Sequence, residues 1–266
     1  MTFLQRSACL SAFIGLAAAT VANATIDSAV LNLRVFNDDP GSTLTTVNNY
    51  PTLVEISDTR TTSGGFANLH NFHLADADVE HVFANDEAFS FSTDLTISGT
   101  GDGEGGLQLA PWWSHNVDGR FNFRTTDGEI AVFGGRLPFY SFTGSQAITY
   151  TKGDTVRVGM VYDPNSLSSG DPATITYNLT MGGTPYSSGP LAFDEGNPAE
   201  GFGSWGHLDD ARLGGYVQVF APPSGVVPSD DNLTIQWAEI NYVPEPTTMV
   251  LTGLGFLGLM MRRRTR

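Results

Sequence analysis

Through the middle of the chain, apolar residues recur at every second position. Residues 29–36 (AVLNLRVF), 88–98 (AFSFSTDLTIS), 120–125 (RFNFRT), 129–133 (EIAVF), 155–162 (TVRVGMVY), 173–180 (ATITYNLT), 216–220 (YVQVF) and 233–242 (LTIQWAEINY) are rich in β-branched and aromatic side chains. Most of them alternate apolar with polar, the period of a strand with one buried face. Clusters of turn-forming residues separate them, as in Asp38-Asp39-Pro40-Gly41, Asp163-Pro164-Asn165 and Met181-Gly182-Gly183. No long stretch between the two ends of the chain has a helical period. Many short strands without intervening helices predict an all-β fold, an antiparallel two-sheet sandwich of the jelly-roll kind. Residues 37–68 have few apolar anchors and are expected to form long loops around one or two short strands. Residues 186–215 are expected to form extended loops at one edge of the sandwich.

The two ends have a different pattern. Arg6 precedes an apolar run over residues 8–21, which closes on Ala22-Asn23-Ala24. That order of charge, apolar run and small-residue site predicts a signal peptide, with a signal helix in residues 1–24 and cleavage between Ala24 and Thr25. Cys9, the only cysteine, lies at the start of the apolar run and leaves with it. The mature chain is then without disulfides or Cys-ligated metal, and its stability rests on its core. At the other end, Val243-Pro244-Glu245-Pro246 leads into an uncharged run, 247–261, and then Arg262-Arg263-Arg264-Thr265-Arg266. As a helix this run spans about 22 Å, short of the roughly 30 Å hydrocarbon layer, so it serves as a marginal membrane helix. The arginines are expected to stay cytoplasmic, which leaves everything before Pro244 outside. The expected organisation is a signal peptide over 1–24, one sandwich domain over 25–242 and a sorting segment over 243–266.

The Pro-Glu-Pro motif, short apolar helix and arginine cluster together resemble the PEP-CTERM sorting segment. The resemblance implies recognition by an exosortase, a membrane protease-transpeptidase of Gram-negative bacteria that build exopolysaccharide. It makes Pro244, Glu245 and Pro246 the recognition motif and Arg262, Arg263 and Arg264 the stop signal. The implied route is the inner membrane, transiently, and then the outer surface or extracellular matrix. In the middle domain, residues 155–162 and 173–181, followed by Gly182-Gly183, look like adjacent strands of concanavalin-like or laminin-G jelly rolls.

Charge narrows the choice of partners. The chain has 28 acidic and 13 basic residues. Five of the basic ones lie in the targeting ends, so the exported part has eight against 28, a net charge of −20. Such a surface repels nucleic acid and favours neutral over acidic polysaccharide. Calcium is the natural counter-ion, and the loop 101–106 (GDGEGG) offers it carboxylates without an EF-hand pattern. No metal site is assigned: His70 and His73 are expected on opposite faces of a strand, unable to share an ion. Asp76-Ala77-Asp78-Val79-Glu80 is read as alternating carboxylates on one strand face.

No nucleophile elbow, HExxH or phosphate loop occurs in the sequence, so the middle is expected to be non-catalytic. The candidate ligand residues are Trp112, Trp113, His115, Asp118 and Arg120, with Trp205 as a second aromatic patch. With Trp112 and Trp113 adjacent in a strand, one is expected in the core and the other stacked on a sugar. The expected function is a surface or matrix protein associated with polysaccharide. The alternatives are a structural matrix protein and a divergent glycan-active enzyme.

Overall fold

The computed structural model of the protein describes residues 26–244, apart from 197, 198, 200–202, 209 and 224–230. The expected signal helix with Ala22 and Ala24, and the sorting residues Glu245, Pro246, Arg262, Arg263 and Arg264, lie outside the described residues. Two antiparallel sheets form a sandwich. The first contains β1 (Ser28–Asn37), β4 (Ala67–Asp76), β5 (Val79–Glu80), β7 (Gly103–Ala110), β8 (Arg120–Arg124), β9 (Ile130–Phe133), β10 (Tyr140–Ser141) and β14 (Arg212–Phe220). Its order is β1-β4-β14-β7-β8-β9-β10, with β5 folded back on β4. The second contains β2 (Thr43–Asn49), β3 (Leu53–Thr59), β6 (Phe89–Ser98), β11 (Thr155–Asp163), β12 (Thr174–Met181), β13 (Thr184–Ala192) and β15 (Asn232–Pro244), in the order β13-β12-β11-β6-β15-β3-β2. Helix is confined among the described residues to one five-residue turn and two 3-10 turns.

Alternation accounts for the second sheet. Along β6 buried and half-buried residues take turns without a break, and Phe89, Phe91, Leu95 and Ile97 point into the core. From the first sheet, Phe72, Leu74, Leu107, Leu109, Phe121, Phe123, Leu213 and Val217 meet them. Trp237 of β15 reaches furthest across. Its Nε1 donates to the Gly106 carbonyl at 3.0 Å, and its ring meets Phe72 edge-on at 5.0 Å. Glycine at 215 makes room, because a Cβ there would stand 2.5 Å from that indole nitrogen.

The central strands of the first sheet do not alternate. β4, β7 and β14 are buried on both faces almost throughout. One face belongs to the core, and the other is polar and roofed. β15 also runs on through Val243 and Pro244, which pair with Ser90 and Phe89 of β6. The start of the Pro-Glu-Pro motif is therefore part of the sheet.

Candidate active face on the first sheet

Antiparallel register sets out the polar outer face row by row, since directly paired residues share a face. One row is His73, Gly214, Gln108 and Arg120. The next is Asn71, Tyr216, Gly106 and Asn122, and the third is Leu69, Gln218, Glu104 and Arg124. Glycines interrupt the first two rows, leaving low ground between His73 and Gln108 and between Tyr216 and Asn122. Pro111–Gly119 lies over this floor. The Asn71 amide donates to the Asn116 carbonyl at 3.3 Å, and the Gln108 amide donates to the His115 and Asp118 carbonyls at 3.4 and 3.5 Å. These bonds are at the long, weak end of the range.

His73 is the best-defined group on the face. Its Nδ1 stands 2.9 Å from Glu80 Oε1, which also accepts from Asn32 Nδ2 at 2.7 Å, while Arg212 Nε donates to Glu80 Oε2 at 3.3 Å. A carboxylate only accepts, so Nδ1 holds the proton and Nε2 keeps a lone pair. That Nε2 is buried and has no hydrogen-bond partner. The hydrogen bond from His73 draws the Glu80 carboxyl down to about 2, against the opposing effect of burial. His70, three residues earlier, points the other way into the sandwich. Its Nδ1 accepts from the Arg34 backbone N–H at 2.9 Å, leaving Nε2 to donate to Asp58 at 3.1 Å. One histidine is spent on structure, and the other presents a base.

Four more buried polar atoms on this face and its roof are without partners: Asn71 Oδ1, Gln108 Oε1, Asn122 Nδ2 and His115 Nε2. Native proteins leave few such atoms, and each needs a reason. Burial, reinforced by the charge of Arg212, lowers the His115 pKa, favouring the neutral ring. Tyr216 is fully buried on the floor and its hydroxyl donates to Asn122 Oδ1 at 2.7 Å. Burial pushes its phenol well above the ordinary value, so it stays protonated. The Arg120 guanidinium sits over the Tyr216 ring at 4.7 Å and is itself held by Glu104 at 2.7 Å and Gln218 at 3.0 Å.

The sequence-derived candidates are partly gathered here. Trp112, Trp113, His115 and Asp118 ride on the roof and Arg120 stands on the floor, whereas Trp205 lies in a loop bonded to Ala173 and Asp194 beside β12. The strand expected at Trp112-Trp113 is a 3-10 turn, Trp112–Ser114, entered through Pro111. Neither tryptophan is in the core: Trp112 is 47% exposed, Trp113 is half-buried, and the rings meet edge-on at 5.8 Å. Arg120 is committed to Glu104, and the Asp118 carboxylate accepts from the Gly119 N–H. The expected strand at residues 76–80 is a hairpin, with Ala77 and Asp78 both at positive φ, so of its carboxylates only Glu80 joins the site. The loop expected at 101–106 leads into β7, and no cluster of three or more metal-ligating side chains occurs among the described residues. No helix among the described residues is long and apolar enough to cross a membrane.

Residues 243–264 match the PEP-CTERM protein-sorting motif. The chain is thus an exported protein sorted through the membrane to the cell surface by exosortase processing. No curated protein matches it. Among solved structures, the sandwich is similar to an alginate lyase of polysaccharide lyase family 7, at 10% identity over 83% of this chain and 96% of that one, with a TM-score of 0.44. The alginate lyase of Klebsiella pneumoniae gives the same four figures. A family 14 alginate lyase from Aplysia kurodai is 10% identical over 76% of this chain and 87% of its own, with a TM-score of 0.40. The likeness is one of fold. The expectation of a protein without enzymatic activity is corrected at this point, because the three structures it resembles in fold are alginate lyases.

Proposed function

We propose that the protein is a glycan-active enzyme of the cell surface, that the outer face of the first sheet is its active face, and that it cleaves acidic polysaccharide by elimination. The observation that carries this reading is the set of five buried, unpartnered polar atoms on one face, headed by a histidine whose free nitrogen is oriented by a carboxylate. The set mixes acceptors (Asn71 Oδ1, Gln108 Oε1, His73 Nε2) with a donor (Asn122 Nδ2), as the hydroxyls and carboxylate of a uronic-acid sugar require. Arg120, Arg124 and Arg212, three of the eight basic residues between the targeting ends, stand on this face. Each is ion-paired, with Glu104, with Asp127 and Glu129, and with Glu80, so the face is close to charge balance and does not repel an acidic sugar as the net charge of the whole chain does.

The chemistry follows from the groups present. His73 Nε2 takes the proton from the carbon bearing the uronate carboxylate, and Arg212, which stands beside the dyad, counters the charge that develops there. The electron pair released forms a double bond to the neighbouring carbon, whose bond to the glycosidic oxygen breaks. The departing oxygen takes a proton from Tyr216, which burial keeps protonated. Hydrolysis fits less well. It needs two carboxyls about 5–10 Å apart, but Glu80 is level with Ala75 and Glu104 with Leu69, six residues apart along β4, about 20 Å. Both are also committed to ion pairs.

The test is incubation of the exported protein with polyuronates and with neutral glycans, following ultraviolet absorbance of the unsaturated product alongside reducing ends. Both signals rising together on polyuronate, and neither in a His73→Ala variant, is the expected result. Reducing ends without absorbance, or a fully active His73→Ala protein, overturns the mechanism.

A further inference from the structure

The same sheet face has a second, apolar end that the elimination chemistry does not use. Continuing the rows beyond Gln218, Phe220 pairs with Ala67, and Phe36 pairs with Leu69 on the adjoining strand. Phe66 lies against Phe220 with ring centroids 5.8 Å apart and planes tilted by 33°. It is 63% exposed, and Phe36 is also exposed. A lone exposed phenylalanine is unremarkable, but this one is held in place. The Asp38 carboxylate accepts from the Phe66 and Ala67 backbone N–H groups, and the Ala221 N–H donates to the Phe66 carbonyl at 2.8 Å. Gly65 passes through the left-handed region at φ +77° with Asp38 packed against it. Several hydrogen bonds thus fix the backbone that carries an exposed aromatic ring, and Phe220 packs against the ring itself.

We infer that Phe66 and Phe220, flanked by Phe36, form a stacking platform for a sugar of the same glycan chain, several residues away from the bond that is cut. The inference rests on the proposed function above. From the His73 row to Phe220 is six residues along β14, about 20 Å, a distance that only an oligosaccharide bridges. The apolar C–H face of a pyranose matches a phenyl ring, and rings already fixed lose little freedom on binding. The occupant is therefore a polymer rather than a small sugar, and affinity should grow with chain length until the platform is reached.

The experiment is calorimetric titration of oligouronates of graded length into the exported protein in a His73→Ala background, with and without Phe66→Ala or Phe220→Ala, and with melting curves on each. The expected result is a steep gain in affinity between short and long chains that either phenylalanine change reduces about tenfold. Equal affinity at all lengths in the parent, or unchanged length dependence in both variants, removes the platform and leaves the His73 site standing. If no oligouronate binds the parent, the platform and the proposed function fall together. A change of oligomeric state in Phe66→Ala, with glycan affinity unaltered, assigns the rings to a self-contact and also overturns the platform.

Discussion

Replacing Glu80 by glutamine tests the centre of the proposed site while keeping its shape. Glu80 Oε1 accepts from His73 Nδ1 at 2.9 Å and from Asn32 at 2.7 Å, and its Oε2 accepts from Arg212 at 3.3 Å. Glutamine keeps one acceptor but introduces an N–H2 group, which can donate to Nδ1 and move the histidine proton to Nε2. The base is then lost without moving an atom of the backbone. Loss of a correctly oriented base costs roughly two to four orders of magnitude in rate. The structural cost is smaller, about 1–2 kcal/mol for charge-assisted bonds to a partly exposed carboxylate, or a few degrees in melting temperature. A second readout does not depend on turnover. The Glu80 carboxyl is lowered from 4.5 to about 2 in the folded protein. Its stabilisation is therefore present above pH 4.5 and is lost as pH falls through about 2. Denaturant unfolding followed from pH 5 down to pH 2 should lose less stability in Glu80→Gln than in the parent. A variant that eliminates polyuronate within a fewfold of the parent rate, or that retains the parent's acid limb, refutes the dyad.

Trp237→Ala removes the indole that fills the gap over Gly106 and Gly215, and should cost about 3–5 kcal/mol, lowering the melting temperature by roughly 10 °C. Gly215→Ala should be destabilising by the opposite route, overpacking, since its Cβ would stand 2.5 Å from the indole nitrogen. Trp112→Ala, by contrast, should change stability by under about 0.5 kcal/mol, because its ring is on an exposed turn; a large loss on a melting curve would put it in the core after all. Changing Pro244, Glu245 and Pro246 to alanine should leave an uncleaved, membrane-held precursor, read by mass spectrometry of the C-terminus.

The sequence pattern revealed strands wherever one face was apolar and the other polar. β6, β8, β11, β12 and β15 announced themselves this way, and so did the final residues of β14, while β9 was marked by its short apolar run. It failed at the strands that build the site, for a physical reason. β4 reads ANLHNFHLAD because its outer face holds Asn71 and His73 under a roof, so alternation in burial disappears although alternation in polarity remains. β7 reads GEGGLQLA, and its glycines, which look like a turn, are there because side chains would strike Gln218, Tyr216, Ile235 and Phe121. β13 was hidden by Pro185, Gly189 and Pro190 at a sheet edge, where missing donors are tolerated. The aromatic pair Trp112-Trp113 did mark the right neighbourhood, but for the roof and not the floor. Its partners Asn71, His73, Gln108, Asn122 and Tyr216 come from four strands, and only register joins them. The one local signal was the contrast in His70-x-x-His73: an odd spacing puts the two rings on opposite faces, so one of them must leave the core.

The sorting motif also gives the site a direction. β15 enters the sheet beside Gly99 and Gly101 and leaves it at Pro244, 13 residues and roughly 40 Å later. At its exit, Tyr242 donates to Glu87, and Glu87 holds His81, the residue after Glu80. The His73–Glu80 dyad is therefore at the end of the sandwich from which the membrane segment departs. Phe220 is at the other end, where its N–H bonds to the Asp102 carbonyl beside the start of β15. Val243 and Pro244, the first residues of the matched motif, are paired in the sheet, so a chain held at the membrane by that motif is expected to have its dyad nearer the bilayer than its phenylalanines. Short oligouronates should reach the dyad equally well before and after processing, whereas a high-molecular-weight polyuronate should be cut more slowly by the membrane-held precursor than by the processed protein. Equal rates on the polymer for both forms would show that the motif and the dyad do not share an end in the working protein.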